Sequence, residues 1–178
     1  MITKENILAI AKKAILSESE SIKKLADFLD QQFVEAVQTI KTSKGRLIVT
    51  GIGKSAIIAQ KIVATMNSTG TPSLFLHASE AIHGDLGMIQ KEDVIICISK
   101  SGNSPEIKVL VPFLKNYGHT LIAITGNMTS FLAKASDLVL NTTIDAEVCP
   151  NNLAPTNSTT AQLVMGDALA VCLMEMRD

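Results

Sequence analysis

Aromatic residues are nearly absent from this sequence of 178 residues. It has no Trp and one Tyr, which excludes an aromatic stacking platform for single-stranded nucleic acid. It also lacks an excess of either charge, because 16 Lys and Arg against 17 Asp and Glu give a formal net charge of −1. With no long basic run, neither nucleic acid nor an anionic membrane is an expected partner.

Cysteine is scarce as well. Cys97, Cys149 and Cys172 are odd in number and form no CxxC pair, which argues against a disulfide framework or a structural zinc site, and no metal is expected. Residues 1–6 are polar and charged, unlike a signal peptide. The most apolar stretch, near the C-terminus, is broken by Asp167. We therefore expect a cytoplasmic protein.

Apolar residues make up 47% of the chain, enough to fill the core of one domain of this length. No linker or repeat interrupts the sequence, so we predict a single domain over residues 1–178. Apolar residues recur at helical spacing over residues 4–42, which predicts a helical N-terminal arm (residues 1–44) that ends at Lys44-Gly45.

From Arg46 onward, short apolar runs alternate with helical segments. Continuous apolar strands separated by helices are typical of a parallel sheet covered on both faces. We predict an α/β fold, a doubly wound sheet of five parallel strands in an αβα sandwich. The predicted strands are 47–49, 73–76, 94–98, 121–124 and 138–140, and the helices are 55–67, 105–117 and one beginning near residue 158.

Four polar segments follow the first four strands, at residues 50–55, 77–85, 99–106 and 125–127. In doubly wound sheets, ligands bind beyond the carboxyl ends of the strands, so these segments share the functional edge. His119 precedes the fourth strand, which predicts a solvated position at the opposite edge.

Residues 99–104, Ser-Lys-Ser-Gly-Asn-Ser, are named here the serine loop and carry the strongest signal. A helix starts directly after them, and the N–H groups and dipole at its N-terminus suit a phosphate. The hydroxyls of Ser99, Ser101 and Ser104 add further donors. The alternative is an ordinary Ser N-cap followed by Pro at the first helical position.

Residues 51–55, Gly-Ile-Gly-Lys-Ser, lack the third Gly of a dinucleotide fingerprint and the spacing of a P-loop. Their position beside the serine loop favours a functional role, in which Lys54 meets an anion or polarises a carbonyl. His83 lies in a polar loop at the same edge, where structural and catalytic roles are both open. Glu147 lies in a proline-bounded connection and belongs to no charge run.

The last helix begins among several hydroxyl residues, Thr156-Asn157-Ser158-Thr159-Thr160. One N-cap needs one side chain, so the surplus predicts a ligand at this helix N-terminus. Residues 161–174 are apolar nearly all round, which predicts that the helix is buried on most sides. Because one five-stranded sheet cannot cover it, we expect an oligomer interface.

These motifs resemble the sugar isomerase domain family, which carries a strand-end Ser-x-Ser-Gly-x-Ser/Thr loop of this kind and has a flavodoxin-like fold. Within that family the chain is similar to bacterial arabinose-5-phosphate isomerases, from about residue 46 to the end. The matching stretches include Cys149-Pro150, and the most specific are Leu153-Ala154-Pro155-Thr156 and Val164-Met165-Gly166-Asp167-Ala168-Leu169-Ala170.

The resemblance implies interconversion of D-ribulose 5-phosphate and D-arabinose 5-phosphate through an enediol, without a cofactor, feeding synthesis of the octulosonate sugar (Kdo) of lipopolysaccharide. It also implies a homotetramer with sites near subunit boundaries. By position, Lys54, Glu106 and Glu147 fall on family active-site residues. The expected substrate and phosphate ligands are Gly53, Ser55, Ser99, Ser101, Gly102, Asn103, Ser104 and Thr159.

The sequence departs from its relatives in three places. Asn103 stands where they often have Glu, and residues 77–80 replace a common His-Pro-Gly-Glu. Many relatives continue into a His-Pro-Gly-Gly segment and two cystathionine-β-synthase domains, whereas this sequence ends at Asp178. It is either a short form or a truncated chain, and His83 is the best candidate for the catalytic histidine.

Two carboxylates compete for the role of proton-transfer base. Glu106 lies in the first turn of its helix, where the dipole keeps it ionised and weakly basic. Glu147 has a drier setting, which predicts a raised pKa and makes it the favoured base. Two other functions remain open: a sugar-phosphate-binding regulatory module, and another enzyme of the family, such as a hexulose-phosphate isomerase or an etherase acting on a muramic acid phosphate.

Overall fold

A computed structural model describes residues 3–177. Strands and helices alternate along the chain in the predicted order. The strands are β1 (Leu47–Gly51), β2 (Ser73–His77), β3 (Val94–Ser99), β4 (Leu121–Thr125) and β5 (Leu138–Asn141). The helices are α1 (Lys4–Leu25), α2 (Gln31–Thr42), α3 (Lys54–Ser68), α4 (Ala78–Ile82), α5 (Pro105–Asn116), α6 (Phe131–Ala135) and α7 (Asn157–Glu175).

Over the described residues the five strands form one sheet in the order β2-β1-β3-β4-β5, and every neighbouring pair is parallel. This is the doubly wound, flavodoxin-like order, so the predicted fold class is confirmed. The order reverses between β1 and β3, and the crevice expected to hold a ligand lies at that point.

The side chains of β3 show how two helical layers cover the sheet. Val94, Ile96 and Ile98 pack in one core with α1, α2, α3 and α7. Ile95 and Cys97 pack in the other with α4, α5 and α6. Burial on both faces explains the continuous apolar strands, since each fully buried aliphatic side chain contributes about 1.5–3 kcal/mol.

The N-terminal arm is not one continuous helix. A 3₁₀ turn at Ala26–Phe28 follows α1, and Asp30 begins α2 by accepting a hydrogen bond from the Gln32 N–H (2.9 Å). The helices α4 and α6 were not predicted, because five residues are too few to show a helical period. Residues 1, 2 and 178 of the predicted domain lie outside the described residues.

The predicted solvated environment of His119 was wrong, whereas the predicted burial of the last helix on most sides is confirmed. His119 lies at the predicted edge but is only 7% exposed, because it lies between α5, at Leu114, and the distant segment that contains Leu86 and Ile89. The helix α7 packs on α3, α1 and α2, and within residues 161–174 only Val171 and Met174 are exposed. A single chain therefore leaves part of α7 uncovered.

The free edge of β5 is partly covered by a side chain from α2. The Gln32 side-chain oxygen accepts a hydrogen bond from the Val139 N–H (2.9 Å).

Across residues 3–177, none of the helices combines the length and apolar character that crossing a membrane requires.

Candidate active site

Loops that follow β1, β3, β4 and β5 meet at the carboxyl edge of the sheet. Gly51 pairs with Ile98, and Ser99 pairs with Thr125, so the loops after β1 and β3 leave the sheet side by side. This edge lies at the point where the strand order reverses, where α/β sheets bind ligands. The predicted functional edge is therefore assembled as the sequence indicated.

The serine loop presents hydroxyls at the start of α5. The Gly102 N–H donates to Ser99 Oγ (3.1 Å), and the Asn103 N–H donates to Ser101 Oγ (3.3 Å). Ser104 occupies the N-cap position, but its side chain caps nothing, and its Oγ is buried without a hydrogen-bond partner. A buried hydroxyl without a partner calls for an explanation, and a bound anion would supply one.

Gly102 and Asn103 determine the shape of this loop. Gly102 has φ +61°, and a Cβ there would lie 2.2 Å from the Ser130 Oγ. The Asn103 side chain accepts from the Phe131 N–H (3.0 Å) and donates to the Ser101 carbonyl (3.0 Å). Both residues, predicted as substrate ligands, hold the loop against α6, and the Asn103 side chain is engaged within the protein.

The loop after β1 opens α3. Gly53 is its N-cap residue, with φ +59°, and a Cβ there would meet no atom within 4 Å. Lys54 is exposed at the first helical position, and Ser55 Oγ donates to the Gln162 side-chain oxygen (3.2 Å). The helix N-terminus thus carries an exposed cation beside free N–H groups, an arrangement suited to an anion.

The Glu147 carboxylate lies at the N-terminus of α7 and accepts hydrogen bonds from the groups there, in the place of a bound anion. The Thr156 N–H (2.8 Å), the Thr156 hydroxyl (3.1 Å) and the Ser158 N–H (3.2 Å) donate to Oε2. The Ser158 hydroxyl and the Lys100 ammonium (2.7 Å) donate to Oε1. The surplus hydroxyls therefore surround a protein carboxylate, and Thr159 donates to the Thr156 carbonyl (2.9 Å).

The predicted dry setting of Glu147 is confirmed, but the predicted rise in its pKa is wrong. Its side chain is fully buried. Burial raises the pKa, but hydrogen bonds from Lys100, from the Ser158 hydroxyl and from the backbone outweigh that effect and hold it at about 2. A dry carboxylate was expected to be a strong base, whereas this one is a stabilised anion.

Glu106 and His83 lie apart from that cluster. Glu106 is half-buried in the first turn of α5. His83 is exposed just after α4, and its N–H donates to the Glu80 carbonyl (3.0 Å). Among the described residues, no hydrogen bond joins the side chains of Lys54, His83, Glu106 and Glu147 to one another.

Two features of the site were not predicted. Lys100 was noted only as part of the serine loop, and its pairing with Glu147 links positions 47 residues apart. A cavity of about 500 Å³ separates α1 from the connection after β5 and reaches Glu147 and Asn157. The position of Lys100 between two serines of the serine loop could have indicated a role for its side chain in the site. Nothing in the sequence places α1 beside Glu147.

The chain has clear relatives among known proteins. The family model for the SIS domain matches residues 40–172. The arabinose 5-phosphate isomerases KdsD of Pseudomonas aeruginosa and of Escherichia coli K12 are each 48% identical to it, over 94% and 93% of this chain. The chain spans about half the length of these curated relatives, 51% in each case.

A solved structure has the same fold as this chain. The structure of Escherichia coli CFT073 c3406 in complex with arabinose 5-phosphate superposes with a TM-score of 0.94. It is 38% identical in sequence, and the match covers 98% of this chain and 93% of that one. The chain therefore belongs to the SIS domain family, as the serine loop indicated.

Proposed function

We propose that the chain interconverts D-arabinose 5-phosphate and D-ribulose 5-phosphate. The observation that carries the proposal is 48% identity, over 93–94% of this chain, to two enzymes named arabinose 5-phosphate isomerase. The related structure in complex with arabinose 5-phosphate supports the same substrate. The D-arabinose 5-phosphate formed in this reaction would feed synthesis of Kdo for lipopolysaccharide.

The serine loop is the proposed phosphate site. Ser99, Ser101 and Ser104 would donate hydroxyls to the phosphate, together with N–H groups at the start of α5. The unpartnered Ser104 Oγ supports this assignment, since a capping serine would have used its hydroxyl on the helix. Ser55 and Thr159 would contribute from the neighbouring helix starts, while Gly53, Gly102 and Asn103 shape the loops.

The isomerisation would proceed through an enediol and needs no cofactor. A base removes a proton from the carbon next to the carbonyl, and a cation stabilises the oxyanion that develops. We assign Lys54 to the oxyanion and His83 to ring opening or hydroxyl positioning. Glu147 remains the proposed base, with Glu106 as the second acid/base group, provided that Glu147 loses part of its hydrogen bonding when substrate binds.

The protein would act as a homotetramer, in the cytoplasm. Large apolar side chains on α1 are between 57% and 69% exposed, which supports burial by another subunit: Ile7, Leu8, Ile10, Ile15 and Leu16. The exposed position of His83 would allow it to serve a neighbouring site. The three cysteines are free thiols, which fits a reducing compartment.

A coupled assay tests the activity directly. Arabinose 5-phosphate is incubated with the chain, and ribulose 5-phosphate is detected through a second enzyme. Hexulose 6-phosphate and N-acetylmuramic acid 6-phosphate are offered in parallel. Turnover of arabinose 5-phosphate alone supports the proposal. Turnover of another substrate would favour a different family enzyme, and binding without turnover would favour a regulatory module.

A further inference from the structure

The ion pair between Lys100 and Glu147 joins the two halves of the proposed site. Lys100 is the second residue of the serine loop, between Ser99 and Ser101, and its Nζ lies 2.7 Å from Glu147 Oε1. Its backbone is fixed, because its carbonyl accepts from the Gly126 N–H (3.1 Å). The proposed phosphate site and the proposed base are therefore connected by one side chain, and the inference below rests on the proposed function.

Glu147 has no free acceptor position in this arrangement. Oε2 accepts three hydrogen bonds and Oε1 accepts two, whereas each carboxylate oxygen offers about two lone-pair directions. A carboxylate in this state cannot approach a substrate proton, and its negative charge is strongly stabilised. One donor must leave before Glu147 can act as a base.

Lys100 is the donor best able to leave. Two of the other donors are backbone N–H groups at the start of α7, and the remaining two are hydroxyls of Thr156 and Ser158 in the same segment. The Lys100 side chain comes from a different loop and is 44% exposed, whereas that of Glu147 is fully buried. Its flexible stem can turn toward an anion without moving the backbone.

We propose that Lys100 is a phosphate-responsive partner of Glu147: the substrate phosphate, bound in the serine loop, draws the Lys100 ammonium away from the carboxylate and frees one lone pair of Oε1, which still accepts from the Ser158 hydroxyl. Phosphate and Glu147 compete for one ammonium. The carboxylate is held inactive while the loop is empty and becomes basic once a phosphorylated substrate is in place. Unphosphorylated sugars would leave it paired.

The test measures the affinity of inorganic phosphate for the purified chain by calorimetry. Competition predicts that Glu147→Gln, which removes the negative charge that holds Lys100, tightens phosphate binding about five- to tenfold. Lys100→Gln weakens phosphate binding, and adding Glu147→Gln to it then changes the affinity less than about twofold. Asp145→Asn and Lys108→Gln are charge-matched controls and should leave the affinity unchanged.

Two results would overturn the inference. One is that Glu147→Gln leaves the phosphate affinity unchanged, which means that Lys100 never leaves the carboxylate. The other is that Glu147→Gln tightens phosphate binding equally in the wild-type and the Lys100→Gln backgrounds. The tightening would then be explained by the loss of a negative charge alone. Neither readout needs isomerase activity, so failure of the proposed function in the coupled assay is a separate result.

Kinetics give a second test if Glu147→Gln does not fold. The acid limb of kcat/KM reports the free enzyme, and that of kcat reports the substrate complex. In the wild type the limb of kcat should lie at higher pH than that of kcat/KM. In Lys100→Gln the two limbs should coincide. Coincident limbs in the wild type would refute the inference. The titratable groups that line the cavity beside Glu147 are Lys13, Glu20, Lys24, Asp145 and Cys149, and Glu18 accepts a hydrogen bond from the nearby Thr160 hydroxyl.

Discussion

Glu147 combines full burial with five hydrogen bonds, so its charge and its shape can be separated by substitution. Gln keeps the volume but cannot accept at both ends. An amide NH₂ would face either the Lys100 ammonium or the N–H groups of α7, and one set of donors would lose its partner. Substitution of this residue is therefore expected to affect both proton transfer and the local hydrogen bonding.

We expect Glu147→Gln to abolish most proton transfer. Incubation with arabinose 5-phosphate in deuterated water should incorporate deuterium at C2 at least about 100-fold more slowly than the wild type. Mass spectrometry of the recovered sugar gives the rate, and Glu106→Gln is the matched comparison. Deuterium incorporation at the wild-type rate would identify a different base, with Glu106 the first candidate.

Ser101→Ala should weaken binding of arabinose 5-phosphate about tenfold. A hydrogen bond to a charged group contributes about 1.5–3 kcal/mol, and about 1.4 kcal/mol corresponds to a factor of ten. Equilibrium binding is measured by calorimetry. Ser136→Ala is the control, because its hydroxyl donates to the Leu132 carbonyl within α6. Unchanged affinity in Ser101→Ala would remove this serine from the phosphate site.

At the scale of one element, the serine loop keeps its shape through close packing on α6. The Leu132 N–H donates to the Gly102 carbonyl (3.0 Å), and the Phe131 N–H donates to the Asn103 side chain. The serine loop, which follows β3, and α6, which follows β4, are thereby held together. A side chain at Gly102 would separate them, because its Cβ would overlap the Ser130 hydroxyl.

Gly102→Ala should therefore lower the free energy of unfolding by about 1–3 kcal/mol, as judged by urea denaturation. Gly118→Ala separates the two causes, since Gly118 also has a positive φ, +80°, but open space where its Cβ would lie. The loss should be larger at Gly102, where overlap adds to backbone strain. Equal losses would show that α6 moves aside freely.

The sequence predicted the elements that depend on local pattern and missed those that depend on tertiary contacts. Continuous apolar runs located all five described strands to within two residues, because burial on both faces leaves an unmistakable composition. The break near Asp30 was missed because apolar spacing continues across it. The burial of His119 and the Lys100–Glu147 pair depend on segments distant in sequence, which a local pattern cannot report.

For the whole molecule, the uncovered faces of α1 and α7 predict association. Ile15 and Leu16 are 69% and 68% exposed, and Val171 is half exposed. We expect analytical ultracentrifugation at micromolar concentration to show a homotetramer, and Ile15→Asp to shift it to smaller species. Val109→Asp places the same charge at an exposed apolar position on α5 and should leave assembly intact. A wild-type monomer would contradict the proposal.

Stability of the whole molecule should depend on Glu147 in acid. Its carboxyl titrates near 4.5 when unperturbed and near 2 in the folded protein, so its contribution is present above pH 4.5 and is lost as the pH falls toward 2. The loss is on the order of 3 kcal/mol. Urea denaturation at pH 7 and pH 3 should show a smaller pH dependence for Glu147→Gln than for the wild type. An equal pH dependence of the free energy of unfolding in the two proteins would mean that folding does not stabilise the ionised form of Glu147.

The contact between Gln32 and β5 also bears on aggregation. A strand at the rim of a sheet offers unpaired N–H and carbonyl groups that can recruit a strand from another molecule. Here the Gln32 amide occupies the Val139 N–H, and α2 lies against the same strand. While α2 stays docked, this rim has one N–H fewer to offer a strand from another molecule, which gives the N-terminal arm a protective role separate from substrate chemistry.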